Sequence, residues 1–92
     1  MMADNENFKV KANNGLSYRD NIINLLLKEE NKKGLSSVQI QFLLYPLYKH
    51  RPYHFFGFSI ANSLREMKEK QIIKISNLRG PKGGKIYYYE TS

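Results

Sequence analysis

Asn62 and Arg65 stand one helical turn apart, with Ser59 and Ser63 beside them, in the stretch SIANSLR. On a helix these four would lie away from an apolar line of Ile60, Leu64 and Met67. Their shared chemistry is hydrogen bonding. A guanidinium addresses guanine through two bonds, a carboxamide addresses adenine, and a hydroxyl reaches a base or a phosphate. A second group follows in NLRGPKGGK, residues 77–85, where Arg79, Lys82 and Lys85 sit among three glycines and a proline with no carboxylate. Glycine lets a main chain come close to a ligand, and the cations neutralise phosphates.

Other combinations carry less. Glu66 and Glu69 neighbour Arg65 and Lys70, and read as ion-pair partners that orient those cations, since no second feature marks an acid–base pair. His50 and His54 have the spacing of helical metal ligands, but Pro52 lies between them and no glutamate follows the first. They read as partly buried or phosphate-contacting side chains. Neither a Ser/His/Asp order nor a phosphate-binding glycine loop is visible, so no catalytic residue, metal or cofactor is assigned and the chain does not read as an enzyme.

The whole chain shares this bias. Fifteen Lys and Arg against eight Asp and Glu give 92 residues a net charge of +7, which points to a polyanion partner, nucleic acid or an anionic membrane surface. With no cysteine, disulfides and thiolate metal sites are excluded. The N-terminus lacks the apolar core of a signal peptide, and runs such as IINLLL are too short to span a bilayer. A cytoplasmic protein is expected, associated with nucleoid or plasmid and not with membrane.

Elements must position these groups. Residues 1–16 are polar and asparagine-rich and read as a flexible arm in which Phe8, Val10 and Ala12 alternate with lysines. The remainder, 17–92, reads as one domain. Ser17 caps a first helix that buries Tyr18, Ile22, Leu25 and Leu26 and ends near Asn31, with Ile23 and Leu27 as a second apolar line for a subunit or a wide core. Ser36 and Gln39 form a capping box for a second helix. Its buried face would be Val38, Phe42, Leu43 and Leu47, and Pro46 stops or kinks it near Leu44. KHRPYHFFGF reads as an irregular connection, and Ser59 as the cap of a third helix with Ala61 beside its core line. Two strands, 72–76 and 86–90, are joined by the cationic loop. Tyr87 and Tyr89 take one side of the last strand, and Ile86 and Tyr88 the other. Tyr45, Tyr48 and Tyr53 suit a subunit contact or hydrogen bonds to phosphate.

The expected fold is mainly α with a small β-hairpin, three helices followed by a two-stranded wing. From Ser17 to Glu90 this order resembles a winged helix-turn-helix domain. GFSIANSLREMKEKQIIKIS is similar to the recognition helix and first wing strand of PadR-type regulators. Size, layout and Ile/Lys/Tyr-rich composition also resemble the small centromere-binding adaptors of archaeal plasmid partition systems. The resemblance implies that Ser59, Asn62, Ser63 and Arg65 read bases or phosphates, and that Arg79, Lys82 and Lys85 are wing contacts. The chain departs from PadR-type proteins in stopping after the wing, without their C-terminal dimerisation helices. The expected function is sequence-specific binding of double-stranded DNA. Helix 59–70 would enter the major groove and the basic wing 77–85 would lie on the flanking backbone or minor groove. The protein would act as a homodimer on a palindrome, in plasmid or chromosome partition or in transcription regulation, with a partition or regulatory partner protein. A winged-helix protein–protein interaction module and an RNA-binding protein are the alternatives.

Overall fold

In the computed structural model, which describes residues 12–79 and 84–90, serines open two of the three helices. Ser17 Oγ accepts the Asp20 N–H at the start of α1 (Tyr18–Leu26). Ser36 Oγ accepts from Gln39 N, and the Ser36 N–H donates back to Gln39 Oε1, a complete capping box for α2 (Ser37–Leu44). Pro46 then sits in a 3₁₀ turn, Tyr45–Leu47, so the α-helix ends where a proline requires. α1 ends earlier than expected, and a separate 3₁₀ turn, Glu29–Asn31, follows it.

The third helix departs most from expectation. α3 spans Tyr53–Glu69, seventeen residues, and its N-cap is Pro52, not Ser59. Pro52 has the extended ψ of a cap, and its carbonyl accepts the Phe56 N–H. A proline has no N–H to lose at that position. Ser59 lies inside the helix, where its hydroxyl donates to the Phe55 carbonyl one turn back. The expected irregular connection is therefore largely helix. Its apolar line begins at Phe56 and continues through Ile60, Leu64 and Met67, all buried, while Ala61 is exposed.

α3 closes with Gln71 in the left-handed region, φ 62°. Gln71 N donates to Lys68 O and Ile72 N to Met67 O, the paired bonds of a Schellman motif.

The sheet has three strands, one more than the sequence predicts. β1 (Leu35–Ser36), β2 (Lys74–Arg79) and β3 (Lys85–Tyr88) run antiparallel in the order β1-β3-β2. Leu35 pairs with Tyr87 and Ser36 with Ile86. On the other side Lys74 pairs with Tyr88 and Arg79 with Lys85, with a register irregularity between Ile75 and Arg79. Gly34 makes the β1 contact possible. Its φ is +102°, and a Cβ there would lie 2.6 Å from Ile86 Cγ2 and 2.7 Å from the Tyr87 carbonyl oxygen.

Helices and sheet enclose one core. Ile22, Leu25 and Leu26 of α1 meet Ile40 and Leu44 of α2 and the α3 line, with Ile73 beneath. Tyr87 and Tyr89 pack against this cluster, as does Ile23, leaving Leu27 exposed. The predicted face of α2 is overturned: Ile40 and Leu44 are buried, while Val38, Phe42 and Leu43 are exposed. Apolar residues occupy both sides of this helix, so its rotation is set by the Ser36 cap and the β1 pairing instead of by periodicity. Tyr48 is also not a surface residue. It is fully buried, stacked on Tyr18 and Phe56 with ring centroids 4.7 Å away in each case.

Residues 12–16, the end of the expected arm, form a packed turn. Ala12 is buried, and the Asn13 N–H donates to Leu47 O over 2.9 Å. No helix among the described residues is long and apolar enough to cross a membrane.

Candidate nucleic-acid interface

The buried line of α3 fixes what faces outward. With Ile60, Leu64 and Met67 held in the core, Asn62 and Arg65 project into solvent. Neither side chain makes a hydrogen bond or ion pair with any described residue, which leaves the carboxamide and the guanidinium without a partner among them. For Arg65 this differs from expectation, because no glutamate orients it. Glu66 instead pairs with Lys70, 3.1 Å away and well exposed, which partly cancels the carboxylate on this side of the helix.

The longer helix extends that outward face toward its start. Phe55 and Phe58 precede Asn62 at spacings that place all four, with Arg65, along one strip, and Phe58 is 66% exposed. Sequence reasoning missed these two because it treated 49–58 as a connection. The signal was present in Phe56, which extends the i, i+4 line of Ile60 and Leu64 by one turn.

Ser59 and Ser63 lie at the edge of this strip and are half-buried. The Ser59 hydroxyl is already committed, accepting from Arg51 Nη1 as well as donating to Phe55 O. Arg51 also donates to the Tyr18 hydroxyl, so it braces α3 against α1. His50 and His54 are both exposed, and His54 lies against the ring of Phe55 at 4.2 Å. No group of three or more His, Cys, Asp or Glu among the described residues is arranged to hold a metal ion.

Of the loop cations, Arg79 and Lys85 are register partners at the loop end of the β2–β3 hairpin. Their backbones face each other where the loop departs, and Lys85 is exposed. Lys82 lies outside the described residues. Nearer the base of the sheet, exposed Lys32 and Lys33 line a shallow groove with Asn77 and Tyr88. Lys32 is partly neutralised by Glu29 at 2.8 Å.

Compared with family models, curated proteins and solved structures, the chain matches none.

Proposed function

We propose that this chain is a winged helix-turn-helix protein that binds double-stranded DNA in a sequence-dependent way. In this reading α3 enters the major groove and the β2–β3 hairpin is the wing. The observation that carries it is the pair Asn62 and Arg65, exposed and unpartnered on the outer side of a helix whose inner side is anchored in the core. Arg65 would address guanine and Asn62 adenine, and Phe58 offers an apolar surface suited to a thymine methyl.

Three further observations support the reading. The order of the described elements, helix, short strand, two helices and a hairpin in a three-stranded antiparallel sheet, is compatible with a winged helix. The net charge of +7 supplies a sequence-independent attraction to phosphate. Arg79 and Lys85, paired in register at the loop end of the hairpin, bracket the loop with two cations. The protein would act as a homodimer on a palindromic site, in partition or in transcription regulation. A single small module buries only about 600–1,000 Å² on DNA, and two are the usual route to a specific site.

Selection from random duplexes at moderate salt tests this directly. Recovery of a shared palindrome is expected, with half-sites about one helical turn apart or a multiple of it. Retention of all sequences equally would reject base reading.

A further inference from the structure

Away from α3's outer strip, an exposed apolar face lies on α2. Val38 and Phe42 stand one turn apart on the side opposite buried Ile40 and Leu44, and are 68% and 70% exposed. With Leu43, and with Tyr53 from the first turn of α3, they line an open groove of about 390 Å³. Scattered exposed apolar residues are ordinary, but four lining one groove form the kind of patch that marks a contact site.

Charge identifies the occupant. From Gly34 to Tyr48 the sequence holds no Asp, Glu, Lys or Arg, and no residue lining the groove is charged. Arg51, which precedes α3, is turned onto the Tyr18 and Ser59 hydroxyls instead. An acidic partner would therefore meet no cation in the groove to answer its carboxylates. A second copy of this chain has the opposite need. Two molecules of net charge +7 repel each other, and their closest contact must be a face without charge.

We propose that the chain self-associates as a two-fold dimer through the exposed face of α2, with Phe42 of each copy entering the other's groove. Such an exchange is reciprocal, as an isologous contact requires. Taking about 200 Å² for an aromatic side chain and scaling by exposure, the four residues offer roughly 300–400 Å² per copy. That is about half of the ~800 Å² per partner in a standard interface, the size of a weak, reversible contact. The homodimer is shared with the DNA-binding reading, but the contact does not depend on DNA and is tested without it.

The experiment is sedimentation of the full chain, free of DNA, from about 1 to 200 µM. Wild type should show a reversible monomer–dimer equilibrium. Phe42→Glu and, separately, Val38→Asp should each weaken it at least about 10-fold. Both positions are exposed, and melting curves serve to check that the variants fold. Leu27→Glu, on the exposed apolar residue of α1, should leave the equilibrium unchanged. A monomer at every concentration overturns the proposal. So does a dimer indifferent to both α2 substitutions, or one broken by Leu27→Glu alone. Retained or lost DNA binding is a separate outcome, read from Arg65 variants.

Discussion

The Asn21 side chain donates to the Tyr48 hydroxyl over 2.9 Å, joining α1 to the segment that leads into α3. Asn21 is only 3% exposed, and its Oδ1 accepts from Asn14 Nδ2 at 2.8 Å. One carboxamide thus holds the N-terminal turn, the first helix and the central aromatic stack. No buried side-chain nitrogen or oxygen among the described residues lacks a partner.

Replacing this group should be costly. Asn21→Leu removes both bonds and leaves the Tyr48 hydroxyl buried without its donor, a loss of about 1–3 kcal/mol. Urea denaturation reads the change as a lower midpoint at unchanged slope. An unaltered midpoint would mean that water replaces the carboxamide.

Tyr48 also predicts an alkaline limit. Burial raises its phenol above the usual 10.0, and the Asn21 hydrogen bond offsets only part of that. Between the unfolded and folded values the native state holds a proton that the unfolded state has released. Stability from this group is therefore complete below pH 10 and declines as pH rises through the folded value. Tyr48→Phe should flatten the alkaline limb of a stability–pH curve; equal slopes in both proteins would discount the phenol.

Two backbone positions should respond in opposite directions. Gln71→Gly removes the strain of a side chain in the left-handed region and should stabilise by about 1 kcal/mol. Gly34→Ala adds strain at positive φ and drives a methyl into Ile86 and the Tyr87 carbonyl, costing about 2 kcal/mol or more. Thermal melts of the pair make the comparison, and a neutral Gly34→Ala would mean that β1 is dispensable.

At the proposed reading surface, Arg65→Ala should cost about 1–3 kcal/mol on the selected duplex and relax preference at one base pair. Scrambled duplex should be affected much less. Leu64→Ala provides the contrast, because it unpacks the core and should lower stability by about 2–5 kcal/mol. Equal weakening of Arg65→Ala on both duplexes would restrict this arginine to phosphate contact.

The loop cations are predicted to act without regard to sequence. Arg79, Lys82 and Lys85 changed together to Ala should weaken binding to every duplex alike. The log–log salt slope should fall by about one unit per lost phosphate contact. An unchanged slope in titrations from about 50 to 200 mM salt would reduce the loop to a solubility device.

Local signals were legible wherever one residue decides the backbone. Ser17, the Ser36–Gln39 box and the stop at Pro46 are chemical instructions, and the structure follows them. The outward placement of Asn62 and Arg65 followed equally from the period of Ile60, Leu64 and Met67. Elsewhere the information is not local. β1 is two residues long and exists because Tyr87 and Ile86 arrive beside it. The rotation of α2 depends on that same pairing, since its apolar residues lie all round. The start of α3 was obscured by a serine that could cap a helix but here bonds back to a carbonyl within one.

The strand order has a consequence for how the molecule comes into being. β3 lies in the middle of the sheet, yet it follows every other described element in sequence. During synthesis α1, β1, α2 and α3 emerge before it, and among the described residues β1 has no strand to pair with until it arrives. The helices can collapse early on local contacts, whereas closure of the sheet joins Leu35 to Tyr87 across most of the chain and is the slow step. On the ribosome β1 would stay unpaired until residues 85–88 have cleared the exit tunnel.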